Sequence, residues 1–102
     1  MREYQFCFMY DGVFYNLLPD AFSGTPIIVE LTFGDKMTVF YDRDSAEAAK
    51  VSAYARYSEY EENGLEIPKT FELISELEIV PIDEDIWTKI DEMSFEVHLY
   101  GQ

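Results

Sequence analysis

The chain has little of what small enzymes and secreted domains rely on. It holds one cysteine, Cys7, one histidine, His98, and seven lysines and arginines against 21 aspartates and glutamates. A lone cysteine forms no internal disulfide, which excludes a disulfide scaffold and makes a reducing cytoplasm the expected setting. No uncharged run approaches the ~20 apolar residues that span a bilayer. The opening Met1-Arg2-Glu3-Tyr4 passes into an alternating pattern without the apolar core of a signal peptide. Among the few glycines, Gly24-Thr25-Pro26 lacks the further glycines and the lysine of a phosphate-cradling loop. The shortage of basic residues leaves a net charge of −14. Such a surface repels nucleic acid and acidic lipid headgroups and attracts basic ones. Direct nucleic-acid or membrane binding is therefore not expected.

What the chain does have is aromatic mass. Eight Phe, eight Tyr and Trp87 within 102 residues, at 48% hydrophobic, predict one domain over 1–102 with a true core. That content also argues against the disorder that high net charge alone would suggest. The charge is uneven. Residues 57–102 carry 13 acids against two lysines, whereas residues 1–56 carry eight acids against five bases.

Tyr4 to Tyr10 alternates large aromatics with smaller residues, Asp11-Gly12 follows, and Val13 to Leu17 returns. Asp-Gly between alternating runs predicts a hairpin with a type I′ turn, pairing Tyr10 with Val13, Phe8 with Tyr15 and Phe6 with Leu17. Pro19 to Pro26 reads as a loop. Ile27–Phe33 and Met37–Tyr41 predict a second hairpin. A three-residue loop, Gly34-Asp35-Lys36, pairs Phe33 with Met37, Leu31 with Val39 and Val29 with Tyr41, matching apolar to apolar. Asp44-Ser45-Ala46-Glu47 has the form of a capping box opening a long helix. Its inward stripe is Ala46, Ala49, Ala53, Tyr57 and Tyr60, and Asn63-Gly64 closes it.

Phe71 to Val80 fits two periods. As a strand it puts Phe71, Leu73, Leu77 and Ile79 on one face and Glu72, Glu76 and Glu78 on the other. As a helix it aligns Leu73, Leu77 and Val80. The Ile79-Val80-Pro81-Ile82 end favours the strand. Asp83 to Glu92 predicts a short helix with Ile86, Trp87 and Ile90 inward. Ser94 to Tyr100 predicts a closing strand with Phe95, Val97 and Leu99 inward. The expected class is α+β: a mainly antiparallel sheet of two N-terminal hairpins, one long helix packed on it, then further strands with a short helix.

Catalytic and metal constellations are weak. Cys7 lies between Phe6 and Phe8 and reads as a small core hydrophobe. His98 shares a polar face with Glu96, and no third group orients a Cys7–His98 dyad. Asp83-Glu84-Asp85 offers oxygens to a divalent cation, but the sixth position is Thr88 and the twelfth Ser94, where an EF-hand needs Gly and Glu. An acidic first helical turn accounts better for that run. No catalytic residue, cofactor or metal is expected, and no enzyme.

The candidate partner-binding residues are Glu59, Glu61, Glu62, Glu66, Glu72, Glu76, Glu78, Asp83, Glu84 and Asp85, with Tyr54 as an aromatic anchor. Carboxylates in such number stand in for the phosphates of a duplex, one charge per ~1.7 Å of axis, before a surface of Lys and Arg arranged for phosphate. In composition, not residue by residue, the chain resembles phage- or mobile-element-encoded inhibitors of DNA-binding host proteins. That likeness implies a non-enzymatic, DNA-mimic-like blocker of a basic surface, for example an anti-restriction or anti-CRISPR protein. The alternative is a small adaptor or assembly domain whose acidity serves solubility and whose contacts come from a sheet edge or exposed aromatics.

Overall fold

A computed structural model describes residues 5–19, 26–66 and 72–100 of the chain. The order is β1 (Phe6–Tyr10), β2 (Val13–Pro19), β3 (Pro26–Glu30), β4 (Lys36–Phe40), α1 (Arg43–Glu62), α2 (Glu72–Glu76), β5 (Glu78–Pro81), α3 (Glu84–Glu92) and β6 (Glu96–Tyr100). The class is α+β, as the sequence predicts, on a curled six-stranded sheet. The expected Pro19–Pro26 loop lies mostly outside the described residues, as do Lys69 and Phe71.

β1 is the centre. Asp11 (φ 50°) and Gly12 (φ 76°) supply the two positive φ values a type I′ turn requires. Tyr10 accordingly faces Val13, and Phe8 faces Tyr15. The expected third pair does not form: Phe6 lies opposite Phe40 of β4 and Pro81 of β5. β2 and β4 share one edge of β1, β2 along its C-terminal half and β4 at its start, while β5 runs antiparallel along the other. Where β2 and β4 diverge, the side chain of Asn16 closes the gap. Its amide donates to the Lys36 carbonyl (2.8 Å) and accepts from the Thr38 N–H (3.0 Å), as a strand's peptide would.

The second expected hairpin is not formed. β3 pairs antiparallel with β2, from Tyr15 opposite Glu30 to Pro19 opposite Pro26. β4 instead pairs in parallel with β6, which makes the sheet mixed, in the order β3-β2-β1-β4-β6. The reason lies in the turn. Gly34 takes φ 80° in a tight Thr32–Asp35 turn, and the Asp35 carboxylate accepts from both the N–H and the hydroxyl of Thr32. That turn is held by the residues that follow α3, not by β3: Gly34 donates its N–H to the carbonyl of Met93, the C-cap of α3, and Glu96, the first residue of β6, donates to the Asp35 carbonyl and begins the parallel ladder.

Because β1 alternates, it feeds two cores. Cys7 and Met9 join Phe14, Met37, Val39, Ile82, Ile90 and Phe95 beneath α3. Phe8 joins Ile28, Phe40, Ala46, Ala53, Ile74 and Leu77 beneath α1 and α2. α1 and α2 therefore cover one face of the sheet and α3 the other. Ring edges tie strands together on both sides, Phe8 against Phe40 at 5.1 Å and Phe14 against Phe95 at 5.7 Å between centroids.

The helix ends follow local chemistry. α1 begins earlier than its sequence suggests, because Asp42 and not Asp44 caps it, accepting from the Ser45 N–H at 2.7 Å. That bond holds the Asp42 carboxyl below its ordinary range, so the cap is at full strength above the unfolded value and fades as pH falls through the lowered one. At the other end Gly64 (φ 66°) donates to the Glu61 carbonyl and Leu65 to that of Tyr60, a Schellman motif. Ser94 (φ 52°) plays the same part after α3.

Two further expectations need correction. Residues 72–76 are helical and 78–81 extended, so the run read as one strand is a helical turn followed by a short strand. Helix wins at its start because Ile74, off the strand's apolar face, is completely buried. Phe95 is inward as expected, but Val97 and Leu99 are half exposed. They share the face of Met37 and Val39, and the cover ends before reaching them.

Candidate acidic surface

The inward stripe of α1 is small: Ala46 and Ala53 are buried, and Ala49, Tyr57 and Tyr60 pack half-buried on the same core. α1 thus lies close on the sheet and turns its remaining faces to solvent. Tyr54 is exposed, off that stripe, as expected from the sequence. Glu59, Glu61 and Glu62 are exposed on the last turns, with Glu66 exposed just beyond. No basic side chain occupies the last turn of α1, so Glu61 and Glu62 stand without an ion pair at the negative end of the helix dipole. Glu59 alone in this group has an ion pair among the described residues, with Arg56 one turn earlier at 2.9 Å. Both partners are half exposed, which limits that pair to about 0–1 kcal/mol.

α2 docks beside α1 through Ile74 and Leu73, in the same core as Ala53, Tyr57 and Tyr60. Lys50 of α1 is committed to this junction and donates its ammonium to the Leu77 carbonyl at 2.8 Å. Glu72 and Glu76 are exposed and occur four residues apart on α2, which stacks them on one side. They do not project from a strand face with Glu78, as the sequence suggested. Glu78 opens β5, opposite Met9.

Asp83, Glu84 and Asp85 open α3. Asp83 is its N-cap, accepting from the Ile86 N–H at 2.9 Å, with Glu84 and Asp85 in the first turn. Here carboxylates are favourable to the dipole, and their helix packs on the opposite face of the sheet from α1 and α2. The structure thus separates the candidates. Tyr54, Glu59, Glu61, Glu62, Glu66, Glu72 and Glu76 gather on the α1–α2 side, Asp83 to Asp85 belong to the α3 side, and Glu78 lies at the sheet between them.

Among the described residues, no group of three or more His, Cys, Asp and Glu converges as around a metal ion. Cys7 is fully buried, and burial pushes its thiol up to about 12. His98 lies on exposed β6, its Nε2 3.6 Å from Glu96. Those placements hold Cys7 inside the sheet and His98 on its outer strand. No described helix is long and apolar enough to cross a membrane.

One polar residue of structural consequence escaped the sequence reading. Asn16 in an otherwise apolar strand was the available signal, since a buried amide requires partners. No family model matches the chain, and neither a curated protein nor a solved structure is similar to it.

Proposed function

We propose that the protein is a non-enzymatic blocker that covers the basic, nucleic-acid-binding surface of a partner protein with the carboxylates of the α1–α2 side. One observation carries this reading: five exposed carboxylates lie on two adjoining helices with Glu66 just beyond the first, and among the described residues an ion pair engages only Glu59 of the six. Neighbours three and four apart on a helix stand ~5–6 Å from one another, so a partner's Lys and Arg set out for phosphates meet a carboxylate at every step. Tyr54 adds an aromatic anchor beside them. A phage- or mobile-element-encoded inhibitor acting in the host cytoplasm on a restriction or CRISPR component fits this arrangement.

The test is capture of partners from a bacterial lysate with a salt-gradient elution, followed by competition with duplex DNA. Binding should weaken as salt rises. The quadruple variant Glu61→Gln, Glu62→Gln, Glu72→Gln, Glu76→Gln should bind the captured partner roughly tenfold more weakly or worse, at ~0.3–0.5 kcal/mol per lost contact. The same variant should melt higher, because two acids leave the negative end of α1, at ~0.3–1 kcal/mol each at most. Wild-type affinity in that variant, or a partner indifferent to DNA, would sink the reading.

The exposed side chains of β6 favour a second reading, an adaptor that makes contact through its sheet edge. Changing Glu72, Glu76 and Glu78 to Lys separates the two, since an edge-mediated adaptor keeps its partner and a charge-based blocker loses it.

A further inference from the structure

β6 is an outer strand of the sheet, and β4 is its only strand partner among the described residues. The pairing dictates which of its peptide groups stay free. Glu96 donates its N–H to Asp35, and Tyr100 accepts from the N–H of Tyr41. Along a parallel ladder, residues that bond a neighbour alternate with residues that face away. Glu96, His98 and Tyr100 are therefore engaged with β4, and the N–H and C=O of Val97 and Leu99 point to the open side.

The side chains of those two residues reinforce the point. They stand beside Met37 and Val39, both buried, yet Val97 is 39% and Leu99 50% exposed. Tyr100 is 63% exposed, and Phe33, in the turn bonded to the start of β6, is 70% exposed. Outer strands of monomeric proteins are normally guarded by charge, proline, a bulge or a cover. β6 has a single carboxylate, no proline, and an unbroken register with β4.

We propose that β6 pairs antiparallel with β6 of a second copy about a two-fold axis at His98, joining two sheets into one. The free peptide groups select the register. Val97 opposite Leu99 of the second copy, with the reciprocal pair, uses every free N–H and C=O of both residues in four hydrogen bonds. A shift of two residues either way matches Val97 with itself or Leu99 with itself and keeps only one of the two pairs. In the chosen register the two valines and two leucines form one apolar cluster on the α3 face. Glu96 meets Tyr100 of the second copy, so no carboxylate faces another. Charge also favours a second copy over a basic strand. The carboxylates of the acidic surface lie on and beside α1 and α2, whereas Glu96 is flanked by Lys36, its register partner on β4, which leaves a basic segment little to hold.

This proposal does not depend on the acidic-blocker reading, and the two respond oppositely to salt. Two chains of −14 repel at low ionic strength and approach more readily once charge is screened. The pairing is small, under about 1,200 Å² in total, which places it among the weak, exchanging associations. Sedimentation equilibrium of the full chain across micromolar concentrations should show a monomer–dimer equilibrium that tightens as salt rises. Val97→Pro removes an outward N–H in each copy without touching the β4 ladder, and should weaken the dimer roughly tenfold. His98→Glu sets two carboxylates face to face at an exposed position and should weaken it likewise. A chain that stays monomeric at every salt overturns the proposal, as does a dimer that ignores both variants or loosens with salt. A monomer whose edge variants lose a captured partner assigns the edge to that partner and equally overturns it.

Discussion

Replacing Asn16 with leucine should lower the unfolding free energy by about 2–4 kcal/mol, measured as a shift in urea midpoint at unchanged slope. Leucine fills nearly the same space, so the loss does not come from a cavity. It comes from the Lys36 carbonyl and the Thr38 N–H, which Asn16 satisfies at 2.8 and 3.0 Å while itself only 5% exposed. Each buried group left without a partner costs about 1–3 kcal/mol. A change below about 0.5 kcal/mol would mean that water enters the gap between β2 and β4 and takes over both bonds. Asn16→Asp gives a pH signature of the same geometry. Ionised, it keeps the bond from Thr38 but turns an oxygen against the Lys36 carbonyl; protonated, it donates there. Its folded pKa is thus raised above the ordinary ~3.9. The variant should approach wild type as pH falls below that value and lose stability as pH rises through the raised one.

Ile74→Ala should cost about 2–5 kcal/mol, the range for deleting a fully buried aliphatic side chain, and the loss should be felt first in α2. A helix of five residues has no independent stability, since isolated helices below ~12–15 residues are marginal. α2 exists because Ile74, completely buried, anchors it beside α1 and Lys50 holds the carbonyl of Leu77 just after its last turn. Hydrogen exchange should therefore show the Leu77 amide, bonded to Leu73, losing protection well before the amides of β1. If both lose protection equally, α2 is not a separately docked unit. Since Glu72 and Glu76 ride on α2, the proposed function adds that the variant should bind a basic partner more weakly.

The β1–β2 hairpin was legible because its turn demands two positive φ values and Asp-Gly supplies them; nothing distant can override that. The partners of β3 and β4 differ from those the sequence predicts, because apolar matching between neighbouring strands is degenerate. Leu31 and Val39 satisfy many partners, and the true ones, β2 and β6, are distant in sequence or lie beyond a breaker-rich loop. Leu73 and Leu77 fit both a period of two and a period of 3.6. Only the burial of Ile74, a tertiary fact, decides between them. Val97 and Leu99 were placed on the correct common face, but alternation says which residues share a face, not whether a helix reaches far enough to cover it.

The acidic surface was legible as charge and not as shape. Every candidate carboxylate is exposed, and Tyr54 with them. Their division between two sides of a sheet depends on which helix packs where. In the sequence Glu78 and Asp83 are five residues apart, yet β5 and the turn after it carry the chain from the α2 layer to α3.

Cys7 gives the molecule an internal reporter. It is the chain's one thiol, it sits on the central strand with no exposed surface, and burial raises its pKa to about 12. Only the thiolate reacts, so a disulfide reagent added to the folded protein finds no target until β1 separates from its neighbours. The rate of labelling then measures how often the middle of the sheet opens under native conditions. That quantity can be followed on the wild-type chain with no introduced probe, with and without a partner, and any ligand that holds the folded state slows the reaction in proportion to its occupancy.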